Sequence, residues 1–129
     1  MLAGAIFGAL DWARRQPLAI GVLDAPGTRQ IHGDTLALRG WTLDPFGAER
    51  VKVQLGPLSR EVAVTGASPD IAAIFPGYPN SHRARFAVDI GSVDLAQAAA
   101  AGELRMRIET INASGTPMEI DRRRLEWHP

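Results

Sequence analysis

The chain has 129 residues, enough for a single domain that buries roughly two-thirds of its unfolded surface. Fourteen basic and fourteen acidic side chains cancel, so no net field favours binding to nucleic acid or to an anionic membrane. A hydrophobic content of 46% is typical of a folded protein rather than a disordered one. The absence of cysteine excludes disulfides, thiolate nucleophiles and cysteine-ligated zinc.

The first ten residues, MLAGAIFGAL, are apolar but too short to span a bilayer, and they lack the charged region and cleavage site of a secretion signal. We therefore expect no membrane span and, by default, a cytoplasmic location. Apolar residues at near-helical spacing predict a short helix over 2–15 that ends before Pro17. This divides the chain into an N-terminal helix or linker, residues 1–16, and a domain over residues 17–129. The helix either packs on the domain or joins it to an upstream domain.

Most of the domain shows the alternation of apolar and polar residues that is typical of strands with one dry face. A first strand is predicted around residues 18–22, and a second short piece over 28–32 follows a turn. Later strands are predicted where apolar residues recur at every second position: Leu36 and Leu38; Val51, Val53 and Leu55; Val62 and Val64; Phe86, Val88 and Ile90; Leu104, Met106 and Ile108. Changes of parity predict a bulge or bend at Gly40 and a bulge among residues 122–124.

Two short helical turns interrupt the strands. The first is predicted to start with Ser68 as N-cap, a proline at the first helical position and an aspartate that complements the helix dipole, and to end before Pro76. The second is alanine-rich and runs from Ser92 or Asp94 through Ala101. About seven strands and no long helix predict a mainly β fold. We expect an antiparallel Greek-key β-sandwich of the immunoglobulin-like type, with a short N-terminal helix and these two helical turns.

Four motifs in the middle of the chain resemble those of a known family: G-W-x-L-D-P at 40–45, V-x-V-x-L at 51–55, P-D-I-A-x-x-F-P-x-Y-P-N at 69–80, and R-F at 85–86. They are similar to those of bacterial Ig-like (fibronectin-III-like) accessory domains, and the resemblance covers about residues 18–127. It implies a non-catalytic domain of the kind appended to glycosyltransferases, methyltransferases and polysaccharide-associated proteins. The chain departs from the pattern at Ser68, where an arginine is typical, and at Arg85, where a small residue is typical.

The sequence shows no constellation of catalytic or metal-binding residues. Its three histidines, His32, His82 and His128, lie in separate segments without the spacing of metal ligands. Asp44 precedes a proline and is expected to form a turn rather than a calcium site. There is no nucleophile elbow and no phosphate-binding loop. We therefore predict that the protein is not an enzyme and that it has no catalytic residue, cofactor or metal.

The loop over residues 75–83 supplies the candidates for ligand contact. Tyr78 lies between a glycine and a proline and is expected to be its most exposed aromatic residue, with Asn80, His82 and Arg83 as polar partners. A flat aromatic surface beside convergent polar groups suits a saccharide. Phe75, Trp41 and Trp127 are further aromatic candidates. We favour a structural plug over a sugar platform, because buried aromatic residues dominate small cores.

Two further motifs have ordinary structural interpretations. The arginines at 122–124 stand among acidic residues and are expected to form a solvated strand face, although such a run could also meet phosphate or an acidic partner. Residues 112–114 match a glycosylation sequon but are expected to form a hairpin turn. The favoured function is a non-catalytic accessory or interaction module, a fragment of a larger bacterial multidomain protein whose partner is a neighbouring domain. The alternative is a carbohydrate-binding module that uses the 75–83 loop.

Overall fold

A computed structural model describes residues 19–129, so the helix predicted over 2–15 lies outside the described residues. Strands dominate the described part, which confirms a mainly β fold. The eight strands found there are β1 (Ile20–Ala25), β2 (Gln30–His32), β3 (Thr35–Leu43), β4 (Ala48–Leu55), β5 (Leu58–Ala63), β6 (Arg85–Gly91), β7 (Leu104–Asn112) and β8 (Pro117–His128). Helix α1 (Pro69–Ile74) and a 3-10 turn (Ser81–Arg83) lie between β5 and β6, and helix α2 (Ser92–Ala100) lies between β6 and β7.

The strands form two sheets. A three-stranded sheet has the order β1-β3-β6, and a five-stranded sheet has the order β2-β8-β7-β4-β5. Neighbouring strands are antiparallel, except that the short edge strand β2 runs parallel to β8. The chain changes sheet between β1 and β2, between β2 and β3, between β3 and β4, between β5 and β6, and between β6 and β7.

One hydrophobic core draws side chains from both sheets. Leu36, Leu38 and Ile90 come from the three-stranded sheet, and Val53 and Ile108 come from the five-stranded sheet. The apolar positions predicted in β4, β6 and β7 are all buried, while residues between them face outward or are partly covered. Removal of this apolar surface from water is the main favourable contribution to folding. The period-two pattern therefore located both the strands and their inner faces.

A bulge or bend was predicted at Gly40, and a bulge does lie at this level, but in the partner strand β1 and not in β3. Strand β3 stays in register with β6 from Thr35 to Trp41, and the extra residue at this level is Asp24 in β1. A side chain at position 40 would collide with the carbonyl oxygen of Val22, and its Cβ would lie 2.9 Å from the ring of Phe86. Glycine is therefore needed because neighbouring groups lie too close for a side chain, and the change of parity after it has another cause.

That cause is a second apolar cluster. Because β3 is continuous, Trp41 and Leu43 point away from the face that carries Leu36 and Leu38. Leu43 forms this cluster with the buried residues Ile71 and Ala84, and Trp41 packs against them. The sequence pattern changed because both faces of β3 are covered at its end.

The bulge predicted in the last strand exists, but at another position. Ile108 pairs with Asp121 and Glu109 pairs with Glu119, so the extra residue is Ile120. Residues 122–124 pair regularly with β7. The side chain of Ile120 packs against the main core, which explains why the parity changes there.

Both predicted helices are present. Helix α1 begins at Pro69 and α2 extends from Ser92 to Ala100, as the sequence indicated. Ser68 does occupy the N-cap position of α1, but its side chain makes no capping hydrogen bond, so that part of the prediction is wrong. Within residues 19–129, neither helix has the length and apolar character required to cross a membrane.

Candidate functional site

The residues singled out by the sequence lie mainly at one end of the two sheets, which we call the loop end. Three segments form it: the turn 44–47 between β3 and β4, the connection 64–84 between β5 and β6, and the turn 113–116 between β7 and β8. The amide of Ala113 donates a hydrogen bond of 3.1 Å to the carbonyl of Gly47, which joins two of these segments. The described chain also starts here, because Ile20 at the start of β1 pairs with Leu43.

Aromatic residues cover the second apolar cluster. Trp41, Phe75 and Tyr78 pack against its buried residues. The ring centroids of Trp41 and Phe75 are 5.7 Å apart, and Tyr78 meets Phe75 edge-on with centroids 6.0 Å apart. Such tilted and edge-on contacts are favourable arrangements for aromatic pairs. Phe75 therefore lies between two other rings, and the loop is anchored through its aromatic side chains.

A buried serine holds the backbone of this connection together. Ser68 is fully buried, and its hydroxyl donates to the carbonyl of Ser81 at 2.7 Å and accepts from the amide of Ala84 at 2.8 Å. Its own amide donates to the carbonyl of His82 at 2.8 Å. The hydroxyl is thus used across the loop, which is why it does not cap α1.

Arg85, at the start of β6, forms an ion pair with the first turn of α1. The guanidinium of Arg85 donates two hydrogen bonds to the carboxylate of Asp70, at 2.7 and 2.8 Å, and a third of 3.3 Å to the carbonyl of Ala67. The hydrogen bond from Arg85 holds the pKa of Asp70 well below its usual range and raises the pKa of Arg85 itself. This fork-to-fork pair fixes the first turn of α1 to the start of β6.

A buried carboxylate and a buried amide connect the two turns of the loop end. Asp44 accepts a hydrogen bond of 2.8 Å from the amide of Phe46 and one of 3.2 Å from the side chain of Asn112. The side-chain oxygen of Asn112 accepts from the amides of Ser114 and Thr116. Asp44 is therefore a turn-forming residue, as predicted, and the sequon segment forms the predicted hairpin turn. Burial, together with the charge of Asp44, raises the pKa of Tyr78.

The four predicted contact residues lie close together in the chain and belong to the same loop. Tyr78 is half-buried, and Asn80 adopts a left-handed backbone conformation with φ of 60°. Arg83 donates a hydrogen bond of 3.2 Å to the side-chain oxygen of Asn80. His82 is exposed. Tyr78 is thus less exposed than its sequence neighbours led us to expect, because it packs on Phe75. The role of these four residues in ligand contact stays a prediction.

One aromatic candidate lies elsewhere. Trp127 is near the end of β8, where it pairs with Ile31, packs against the main core and donates a hydrogen bond of 2.9 Å to the carbonyl of Gly33. Both of its partners lie between β1 and β3, next to the end of β3 that is opposite the turn 44–47. Trp127 therefore helps to close the other end of the sheets and does not contribute to the 75–83 loop.

Sequence reasoning missed the exposed apolar residues of the loop end. Phe46, in the turn 44–47, is 69% exposed, and Ile74 at the end of α1 is 67% exposed. A Cβ on Gly47 would lie 3.1 Å from the side-chain nitrogen of Asn80, so this turn packs against the 75–83 loop. The only signal in the sequence was an aromatic residue inside an Asp-Pro-Phe-Gly turn, where polar residues are usual.

The remaining observations do not assign a chemistry to the site. Within residues 19–129, no group of three or more histidine, aspartate and glutamate side chains is placed to hold a metal ion. The chain matches no protein-family model, no curated protein and no solved structure.

Proposed function

We propose that this chain is a non-catalytic accessory module of the immunoglobulin-like type, part of a larger bacterial multidomain protein. The module docks through its loop end on a neighbouring domain of the same parent protein. The observation that carries the proposal is the exposed side chain of Phe46, at the end of the sheets where β1 begins.

The strand order supports the immunoglobulin-like assignment. In that fold, two antiparallel sheets pack over one core, and Greek-key connections carry the chain from one sheet to the other. Here the sheet β1-β3-β6 shares a core with the sheet that contains β8-β7-β4-β5, and the chain crosses on both sides of β2, after β3, after β5 and after β6. The parallel pairing of β2 with β8 is compatible with a first strand that is split between the two sheets.

The exposed apolar residues support docking at the loop end. Contiguous exposed apolar surface marks places that bind a partner, and two large exposed apolar side chains, Phe46 and Ile74, lie on the segments of the loop end. Phe46 sits on a turn held by Asp44 and by the contact of Gly47 with the 113–116 turn, so its position is fixed by the fold. A rigid aromatic residue loses little conformational entropy on binding and is a typical anchor of an interface. A domain that precedes β1 in the same chain would be held beside this surface at high effective concentration.

A photo-crosslinking experiment tests this docking. A photoreactive phenylalanine analogue replaces Phe46 in the protein produced from its complete gene, and the same analogue replaces Val93 as the control. Val93 is 70% exposed and apolar, but it lies in α2, which follows the opposite end of β6. We expect crosslinks from position 46 to residues of the parent protein outside 1–129 and none from position 93. Equal crosslinking from both positions, or none from position 46, would contradict the proposal.

Carbohydrate binding is the second candidate function, and one observation favours it. The 75–83 loop carries the exposed side chains of His82 and Arg83 together with a half-buried aromatic ring, Tyr78, and Arg83 is bound to Asn80 in the same loop. The ring packs edge-on against Phe75, which leaves part of its surface at the exterior. A glycan array with the wild-type chain, Tyr78→Ala and the control Val93→Ala separates the two functions. Binding of a defined saccharide that only Tyr78→Ala abolishes would support the carbohydrate function, and a Tyr78→Ala chain that loses thermal stability without any glycan signal would eliminate it.

A further inference from the structure

An arginine-rich groove lies on the five-stranded sheet, outside the site described above. Its volume is about 580 Å³, and six of its eight lining residues are arginines: Arg29, Arg105, Arg107, Arg122, Arg123 and Arg124. Glu103 is the one carboxylate among those eight described residues. Six of the chain's fourteen basic residues thus meet in one place, although the chain as a whole has no net charge. We call this surface the arginine groove.

Four of these arginines face each other across neighbouring strands. Arg105 in β7 lies directly opposite Arg124 in β8, and Arg107 lies directly opposite Arg122. Directly opposed like charges destabilise a pair of strands. Two such pairs side by side are therefore not explained by the stability of the sheet.

The available carboxylates do not balance this charge. Glu103 is shared between Arg105, at 3.0 Å, and Arg124, at 3.2 Å. Glu119 is likewise shared between Arg122, at 2.7 Å, and Arg107, at 3.4 Å, and Arg107 also reaches Glu109 at 3.1 Å.

Arg29 makes no ion pair with any residue of the described range 19–129, whereas Arg123 is held by Asp121 and by the carbonyl of Pro26. Arg123 is neutralised by Asp121 and is not counted further. The other five guanidiniums of the groove have three carboxylates as partners, Glu103, Glu109 and Glu119, so the positive charges exceed the negative charges by two. The ion pairs formed within the groove therefore leave two of these guanidinium charges without a carboxylate of their own.

The guanidiniums remain accessible to a partner. The side chains of Arg105, Arg122 and Arg124 are 80%, 68% and 60% exposed. Each guanidinium has five N–H donors, so one or two hydrogen bonds to a shared carboxylate leave further donors directed to solvent. Hydrogen bonds from Arg105 and the charge of Arg124 hold the pKa of Glu103 below its usual value, so this carboxylate is ionised and marks where an anion fits.

We propose that the arginine groove binds an acidic protein segment in extended conformation, with carboxylates at alternate positions. This inference rests on the proposed function, since it assumes that the module binds a protein partner. Residues on one face of a strand repeat about every 6.6–6.8 Å, and an extended acidic segment has the same repeat. Two successive carboxylates of the partner therefore meet Arg105 and Arg107, or Arg122 and Arg124, and each accepts a bidentate pair of hydrogen bonds.

The composition of the groove favours a peptide over other polyanions. None of the described residues that line it is aromatic. Saccharides and single-stranded nucleic acids are typically held by stacking of rings or bases on aromatic side chains, which this groove lacks. Recognition by an arginine cluster alone is typical of acidic or phosphorylated protein segments.

Binding of a synthetic probe to the full chain tests the inference. The probe is a fluorescein-labelled peptide in which glutamate alternates with threonine, and its control has the same composition with the glutamates in one block. We expect the alternating peptide to bind more tightly than the block peptide, and its affinity to fall as salt is added, because exposed charges are screened. The double variant Arg105→Gln/Arg124→Gln should weaken binding by about tenfold or more.

Two further variants separate binding from stability. Arg50→Gln removes an exposed arginine of β4 that forms a single ion pair with Glu61, and it should leave the affinity unchanged. Glu103→Gln removes the carboxylate that competes for Arg105 and Arg124, and it should tighten binding by about threefold. Such a gain cannot come from a loss of folding, so the inference stays testable even if the double arginine variant unfolds.

Several outcomes would overturn the inference. Equal affinity for the alternating and block peptides would show simple charge attraction, and equal or tighter binding of polygalacturonate or of a single-stranded oligonucleotide would exclude a peptide-specific groove. Absence of peptide binding together with crosslinking from position 46 would eliminate the groove while leaving docking through the loop end intact. Peptide binding without crosslinking from position 46 would support the groove and contradict docking through the loop end.

Discussion

The main core and the cluster at the loop end are built on different principles. The main core joins side chains from both sheets through apolar contacts alone, and its members recur at every second position of β3, β4, β6 and β7. The loop-end cluster has only three buried apolar residues, Leu43, Ile71 and Ala84, with aromatic rings packed around them. Around it lie buried polar groups, Ser68 and Asp44, each with two hydrogen-bond partners for its side chain.

This difference shows where the molecule is fixed by packing and where it is fixed by hydrogen bonds. Apolar packing is non-directional, so the main core tolerates exchange among residues of similar volume. Buried hydrogen bonds are directional and costly to break, so they define a single conformation for the connection 64–84 and the turn 44–47. The position of the exposed Phe46 is therefore fixed by buried hydrogen bonds and not by apolar packing.

The largest expected effect comes from truncation in the main core. Leu38→Ala removes a fully buried side chain of β3 and should lower the free energy of unfolding by about 3 kcal/mol, through lost transfer free energy and the cavity left behind. Ile71→Ala in the loop-end cluster should cost less, about 2 kcal/mol, because fewer buried neighbours surround it. Denaturant unfolding measures both, with Val93→Ala as an exposed control near zero. An equal loss for Leu38→Ala and Ile71→Ala would mean that the two clusters are packed alike.

Removal of the Ser68 hydroxyl is the next most severe change. Ser68→Ala leaves the carbonyl of Ser81 and the amide of Ala84 without the hydroxyl as a partner inside a buried region, and it should lower the free energy of unfolding by about 2 kcal/mol. The exposed Ser59→Ala is the matched control and should change it by less than about 0.5 kcal/mol. Hydrogen exchange at the amide of Ala84 should accelerate in the Ser68 variant alone. A Ser68→Ala chain as stable as Ser59→Ala would show that the hydroxyl does not organise the loop.

The same difference determines how much could be predicted from the sequence. The alternation of apolar and polar residues over 51–55 predicts a strand and its buried face. This is possible because the alternation is a local pattern, contained within five residues: Val51, Val53 and Leu55 are apolar. The bond between Asp44 and Asn112 joins positions 68 residues apart, and neither side chain stands in a pattern that points to the other. Likewise, the sequence marked Arg85 as unusual, but only the fold places it against Asp70.

The arginine groove is a case in which the residues could be recognised in the sequence but their arrangement could not. The arginines at 122–124 were visible in the sequence and were expected to be a solvated strand face. Their significance depends on the register of β8 with β7, which puts Arg122 and Arg124 opposite two more arginines. Register is set by the bulge at Ile120, whose position the sequence pattern located only to within a few residues.

Removal of a buried polar group that has no hydrogen-bond partner should have a smaller effect, and it should stabilise the fold. Thr110 is fully buried, and its hydroxyl has no hydrogen-bond partner within residues 19–129. Thr110→Val keeps the shape and removes this unpaired polar group, so it should raise the free energy of unfolding by about 1 kcal/mol. The matched control is Thr42→Val, because Thr42 is equally buried but donates a hydrogen bond of 3.1 Å to the carbonyl of Ile20. Thermal unfolding of both variants should show a gain for position 110 and a loss for position 42; a loss at both would contradict the argument.

The smallest expected effect concerns the ion pair of Arg85 with Asp70, which is exposed and therefore screened by solvent. The folded-state pKa of Asp70 is depressed, so the pair stabilises the fold above the unfolded pKa of about 4, and this contribution is lost as the pH falls through the folded pKa. Asp70→Asn should thus unfold more easily than wild type at neutral pH, with the difference vanishing in strong acid. Carboxyl NMR titration should show Asp70 protonating at a pH well below that of an ordinary aspartate in an unfolded chain.

The acid titration also separates the two regions of the molecule. The main core contains no carboxylate among its buried members, whereas α1 is held to β6 through Asp70. Protonation should therefore loosen the connection 64–84 before it affects the sheets, and hydrogen exchange in strong acid should accelerate at Ala84 while the amides of β7 stay protected. Simultaneous loss of protection in both places would mean that the loop end unfolds only together with the core, so that its hydrogen bonds and ion pair would not form a separable unit.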